Sequence, residues 1–290
     1  MSISTEDIKL LRQSTGAGVL DCKKALQETD GDIDAAIEYL RKKGLAAAAK
    51  KASREANEGE VSAYVTNDRQ VGVMVKVNCE TDFVARTDEF KNLVAALVRQ
   101  MTEQPDLQNA DDLLAAPFID DPDRTVNQML TEVIAKLGEN TIIRDAIRFD
   151  LTGNGMIDSY VHMGGRVGVL LEVGGSDPGN EKFVEFVHDL ALQIAAASPR
   201  YVSQLDIPAE ARQAEKEIYR AQLAEDKKPD NIKERIVEGK LNKWYSEVAL
   251  LDQEFVKDNS LTISQLRDKY SKELGADLII RRFARFEMGG

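Results

Sequence analysis

The chain repeats itself. At an offset of 96 residues, the spacing from Tyr64 to Tyr160, Tyr64-Val65 aligns with Tyr160-Val161, Val71-Gly72-Val73 with Val167-Gly168-Val169, Val77 with Val173, and Glu89-Phe90 with Glu185-Phe186, without a slip. Each copy reads as a strand ending in a polar turn (Asn67-Asp68-Arg69; Met163-Gly164-Gly165), then a Val-rich strand, a second turn, and a helix beginning near Phe90 or Phe186. Two strands cannot bury their own apolar face, so helices must cover the sheets and the copies are expected to pack together. The expected fold class is α+β, with a core of two repeated α+β subdomains built on antiparallel strands.

What precedes the repeat reads as a three-helix bundle over residues 1–54. Leu10 and Leu11 close a first helix before Gly16-Ala17-Gly18; Val19, Cys22, Ala25 and Leu26 follow at helical spacing. Asp30-Gly31-Asp32 then breaks the pattern, and Ile33, Ala36, Ile37 and Leu40 mark a third helix ending at Gly44. Residues 45–60, rich in Ala, Lys and Glu and without Pro, are expected to be a helical or loosely ordered connector rather than a core element. The core is expected to divide into 55–140 and 141–290. Within the latter, Ala211, Ala214 and Ile218, the break Lys227-Lys228-Pro229-Asp230, and Ile232, Ile236, Leu241 and Trp244 predict a projecting helical hairpin over 208–245 with a narrow apolar seam. The run from Leu278 to Phe286 predicts a last strand.

Composition narrows the functional classes. The 290 residues, 43% hydrophobic, suffice for two or three domains, and a formal charge of −12 opposes capture by nucleic-acid backbones or anionic membranes. The start has no basic segment leading into an apolar one, and no apolar run approaches a membrane span, so a cytoplasmic location is expected. Cys22 and Cys79 are too few for a disulfide framework.

Sites for chemistry are scarce. Gly16-Ala17-Gly18 lies between helices and lacks the third glycine of a dinucleotide loop, and no GxxxxGK[ST] segment exists. His162 and His188 have no metal-ligand spacing. Cys79 with His188 as its base is a conceivable nucleophile, but Cys79 ends a Val-rich strand, where a thiol behaves as a small buried hydrophobe. No catalytic residue, cofactor or metal is expected.

One segment is not needed by the repeat. The second turn of the first copy is Glu80-Thr81-Asp82-Phe83-Val84-Ala85-Arg86, where the second has Ser176-Asp177-Pro178-Gly179-Asn180, an ordinary polar turn. Thr81 or Asp82 can cap the following helix, leaving Phe83 in its first turn, pointing outward; the competing reading is a staple onto its own helix.

Two stretches carry a resemblance. Leu11-Arg12-Gln13-Ser14-Thr15-Gly16-Ala17-Gly18-Val19-Leu20-Asp21-Cys22-Lys23-Lys24-Ala25-Leu26 and Val77-Asn78-Cys79-Glu80-Thr81-Asp82-Phe83-Val84-Ala85-Arg86 resemble the two signatures of the bacterial translation elongation factor Ts family, with Lys76 standing where that family often has Glu. The resemblance implies a guanine-nucleotide exchange factor for elongation factor Tu, preferring its GDP-bound or nucleotide-free form, with a ubiquitin-associated-like N-terminal bundle. It implies that Thr81, Asp82, Phe83 and Val84 insert near the partner's Mg²⁺, and that Val19, Leu20 and Lys23 touch the partner. From the residues alone, Val19 and Leu20 could equally pack inside the bundle. Gln193 occupies the place of a His with which some members touch the partner. An adaptor for ubiquitin-like partners, acting through the bundle, and a Cys79 hydrolase are the alternatives.

Overall fold

The computed structural model describes residues 3–226 and 228–289. It begins with three helices, α1 (Thr5–Thr15), α2 (Val19–Glu28) and α3 (Ile33–Lys51). The Ser4 hydroxyl accepts from the Asp7 N–H at 3.0 Å while the Asp7 carboxylate takes the Ser4 N–H, so both donors at the start of α1 are satisfied. Gly16, at φ 67, ends α1, and Asp32 caps α3 by accepting from the Ala35 N–H. Leu11, Cys22, Ala25, Leu26 and Ala36 fill the bundle core.

The third helix corrects the sequence reading. It runs through Gly44 to Lys51, because this glycine serves close approach and not termination: a Cβ on it would lie 3.3 Å from the Ala135 Cβ. Nor is 45–60 a connector free of core residues. Ala48 belongs to the first core cluster, Ala56 is buried, and the first strand starts at Glu58.

The first antiparallel sheet has the order β1-β2-β5, from β1 (Glu58–Val65), β2 (Val71–Cys79) and β5 (Thr141–Asp150). Between β2 and β5 come α4 (Asp82–Ala85), α5 (Asp88–Glu103), α6 (Ala110–Ala115), a short hairpin of β3 (Pro117–Phe118) and β4 (Asp121–Thr125), and α7 (Val126–Leu137). The second sheet, ordered β10-β7-β6, joins β6 (Gly155–His162), β7 (Val167–Gly174) and β10 (Ile279–Glu287). Its chain passes through α8 (Glu181–Ala197), α9 (Ala209–Gln222), α10 (Asp230–Val248), a hairpin of β8 (Glu254–Phe255) and β9 (Asp258–Thr262), and α11 (Ile263–Leu274). Strand β5, which lies beyond residue 140, thus pairs with β2 in the first sheet.

Both central strands are buried on both faces, which is why they read as nearly continuous apolar runs. Val73, Val75, Val77 and Cys79 of β2 face Phe90, Leu93, Leu97 and Met101 of α5; Val169, Leu171 and Val173 of β7 face Phe183, Phe186 and Leu190 of α8. The other faces meet each other through Val61, Met74, Phe149, Ile157 and Leu170. Two glycines 96 residues apart permit that approach. A Cβ on Gly72 would fall 2.6 Å from Ile157 Cγ2, and one on Gly168 would fall 2.4 Å from Val61 Cγ1.

The repeat extends further than its first offset shows. Thr125 and Thr262 each form a capping box, with Gln128 and Gln265, and Gly138 and Gly275 each end the helix that follows, all at a spacing of 137. The increase from 96 to 137 corresponds to an insertion containing α9 and α10. Arg148 and Arg285, again 137 apart, each donate to backbone carbonyls where the covering helix ends: Arg148 to Thr102 at 2.9 Å, Arg285 to Ala195 at 3.3 Å. A charge pair is conserved in place and reversed in sign. Lys76 lies 3.8 Å from Asp145, and its counterpart Glu172 lies 2.7 Å from Arg282, the counterpart of Asp145.

The inserted hairpin is bound by Arg220 forking onto Glu234 at 2.8 and 2.9 Å and by Lys240 over the Tyr219 ring. Its apolar contacts follow the expected seam only in part: Leu241 is buried as expected, but Val237 is buried beside it, whereas Ala214 and Ile218 face solvent. Lys227, within the expected break, lies outside the described residues.

Candidate interaction site

Helix α4 stands at the corner between β2 and α5, and its base is braced from two directions. The Glu139 carboxylate accepts the Thr81 N–H at 3.0 Å and the Thr81 hydroxyl at 2.7 Å. In return the Glu80 carboxylate accepts the Asn140 N–H at 2.6 Å. Two neighbouring residues on each segment thereby clasp the other segment, and charge-assisted bonds of this kind are the stronger class. On the far side, the Thr87 hydroxyl donates to the Val84 carbonyl at 2.8 Å while accepting the Phe90 N–H that opens α5.

On this base the sequence-derived residues separate by role. Thr81, not Asp82, is the cap, accepting the Val84 N–H at 3.3 Å. Asp82 pairs with Arg86 at 2.7 Å on the surface. Val84 packs inward on the first core, and Phe83 projects with 78% of its surface exposed. The staple reading of Phe83 does not hold, since a stapled ring would be covered. The second copy runs from Asn180, which caps α8 directly, and builds no counterpart of α4.

In the bundle, α2 turns Cys22, Ala25 and Leu26 inward and leaves Val19 51% exposed, Leu20 82% exposed and Lys23 exposed. Val19 and Leu20 are therefore available to a partner and do not fill the bundle core. Gln193 requires a correction. It is fully buried: its amide donates to Gln253 Oε1 at 3.1 Å and to the Glu254 carbonyl at 3.2 Å, and its oxygen accepts the Val256 N–H at 2.8 Å. A polar residue on the inner side of α8 thus holds the β8–β9 hairpin and presents nothing at the surface.

The thiol alternative fails on electrostatics. Cys79 is fully buried, and its Sγ donates to the Thr81 carbonyl at 3.1 Å. Burial, with the Glu139 carboxylate adding to it, pushes the thiol up to about 12, so no thiolate nucleophile forms near neutral pH. His188 is directed instead to Asp158, at 3.4 Å. Among the described residues, no group of three or more His, Cys, Asp or Glu side chains is placed to hold a metal, and no helix is long and apolar enough to cross a membrane.

Glu139 belongs to no motif, yet the sequence carries a signal for it. At the spacing of 137 it aligns with Ala276, so the carboxylate appears only in the copy that carries α4.

The chain is similar over its whole length to proteins of known family. A family model described as Elongation factor TS matches residues 80–290. Elongation factor Ts of Halothermothrix orenii is 47% identical over 289 residues, spanning 100% of this chain and 93% of the relative. That of Trichlorobacter lovleyi is 45% identical over 292 residues, with the same coverage, and that of Aquifex aeolicus is 45% identical over 294 residues, spanning 100% of this chain and 99% of the relative. The chain therefore belongs to the elongation factor Ts family, the nucleotide exchange factors of translation elongation, which are not enzymes.

Proposed function

We propose that this chain accelerates GDP release from elongation factor Tu by inserting Asp82 and Phe83, carried on α4, beside the partner's Mg²⁺. The observation that carries this reading is an aromatic ring 78% exposed on a helix whose base is clasped by Glu80 and Glu139. Covering such a ring contributes roughly 1.5–3 kcal/mol, available only in the complex. Mg²⁺ neutralises phosphate charge in a GTPase, so displacing the groups that hold it leaves the diphosphate poorly compensated, and GDP leaves faster. By linkage, nucleotide must weaken the complex to the same extent, so the nucleotide-free partner is held most tightly and GTP entry favours release; the GDP-bound partner is the form on which the factor acts.

Thr81 and Val84 position the inserted pair, and Val19, Leu20 and Lys23 form a second contact from a bundle of ubiquitin-associated-like type. The working division is a bundle over 1–54 and two core subdomains, with β5 assigned to the first. No cofactor, nucleic acid or membrane enters this scheme, which is set in the cytoplasm. An adaptor for ubiquitin-like partners would use the bundle but would give the braced α4 no task.

Stopped-flow release of fluorescent GDP from the cognate factor Tu tests the reading. Acceleration that rises and saturates with the concentration of this chain is expected. Absence of acceleration at any concentration contradicts it.

A further inference from the structure

One short segment, residues 132–139, touches supports of both proposed contact elements. Toward the bundle, Glu132 lies 3.6 Å from Arg41, the Ile134 carbonyl accepts from Lys51 at 3.4 Å, and Ala135 meets Gly44 of α3. The aliphatic stem of Lys136 lies over Gly16, where a Cβ would be 3.3 Å from its Cε; Gly16 is three residues before Val19, which with Leu20 opens α2. Toward α4, Lys136 pairs with Glu89 in the first turn of α5 at 3.0 Å, and Glu139 takes both donors of Thr81. The Lys136 ammonium, by donating to it, holds the Glu89 carboxyl below its usual range.

We infer that segment 132–139 is a positioning element that fixes the exposed face of α2 relative to Phe83, so that the partner meets both contacts as one preorganised surface. Lys136, and Gly44 facing the segment from α3, are the principal positioning residues. The inference rests on the proposed contacts of Val19, Leu20 and Lys23. The bundle is held along a narrow line: beside it opens a cleft of about 640 Å³, lined by Thr15, Arg41, Lys43, Arg124 and Glu132 among others. A Cβ at Gly44 already lies 3.3 Å from the Ala135 Cβ, so a branched side chain there presses α3 away from α7 unless it turns into the cleft that Gly44 and Ala135 also line. Fixing two contacts at one separation raises the effective concentration of the second once the first has formed, and a loosened bundle loses that advantage while keeping every contact residue.

Gly44→Leu in the full chain tests this. Spin labels at Lys9→Cys and Lys91→Cys, both exposed positions, report whether the bundle has left the core, and the native thiols are buried. The expected result is a broadened label distance, a half-saturating concentration for GDP release raised at least about tenfold, and a limiting rate within about twofold of native, because Phe83 is untouched. Gly44→Ala, which asks Ala135 to move by only a few tenths of an ångström, is expected to restore the native half-saturating concentration. Should Gly44→Leu fail to fold, Lys136→Met keeps the stem and removes the Glu89 pair, with about a threefold rise expected on the same scale.

A released bundle with an unchanged half-saturating concentration overturns the inference, as does an unbroadened distance in Gly44→Leu. Leu20→Ala separates the two levels: if it leaves half-saturation unchanged, the docking reading fails and the inference fails with it. If it raises half-saturation while the released bundle does not, only the positioning inference fails.

Discussion

Thr81 and Glu139 are joined twice, by the backbone N–H and by the hydroxyl of the threonine, at 3.0 and 2.7 Å to the two carboxylate oxygens. The link spans 58 positions in sequence and ties the turn after α7 to the start of α4. Glu139→Ala leaves the Thr81 N–H without its acceptor, at a cost of about 1 kcal/mol in stability. It should slow GDP release although Phe83 and Asp82 are unchanged. Glu139→Gln, which retains one acceptor oxygen, should fall between. Denaturant unfolding and release kinetics on the same preparations check both.

The reversed charge pairs predict a compensating swap. Lys76→Glu would place a carboxylate beside Asp145 at a buried position of the central strand and should cost about 2 kcal/mol. Adding Asp145→Arg rebuilds the arrangement of Glu172 and Arg282 and should recover most of that loss. Equilibrium unfolding of the single and double variants measures the coupling, and additivity would show that the two sites do not interact.

The sheets approach most closely at the paired glycines. Gly72→Ala forces a methyl against Ile157 Cγ2 and Leu170 Cδ1, 2.6 and 2.7 Å away, and should destabilise by about 1–3 kcal/mol. Gly168→Ala should behave alike, against Val61 and Met74. Thermal unfolding of each variant is the check.

Cys79 links stability to alkaline pH. Its folded value, about 12, stands above the ordinary 9.0, so the thiol is neutral in both states below about pH 9; above that, the unfolded chain loses its proton first. Stability associated with this group is intact below pH 9 and falls between pH 9 and about 12. Cys79→Ser should flatten that part of the curve, and alkylation of native protein at pH 8 should require unfolding.

Periodicity and repetition exposed much of the architecture in the sequence, and their limits are physical. The first two strands of each copy were visible because β2 and β7 are buried on both faces and keep one register. The third strand of the second copy is legible as the run from Leu278 to Phe286, but its equivalence to β5 is not, because the α9–α10 insertion changes the offset before Thr262, Gly275 and Arg285 recur. Gly44 reads as a helix stop because composition does not reveal that Ala135 lies against it. That contact, with the buried Ala48 and the Asn140 side chain bonded to the Arg54 carbonyl, means that deleting 1–54 should uncover part of the first core as well as weaken partner binding. Phe83 could be singled out because the second copy lacks it. Gln193 misled because a buried amide and an exposed one look the same in sequence when its partners lie 60 residues away.

The most direct test of the account is Phe83→Ala, with stability and GDP release measured on one preparation. An exposed ring should change folding stability by about 0.5 kcal/mol or less. The same ring lost from an interface pocket should cost over about 2 kcal/mol in the complex, which slows release by roughly thirtyfold at fixed concentration. A large loss of stability with normal GDP release would contradict the account, because it would make Phe83 a support of the fold and remove the inserted ring from the exchange mechanism.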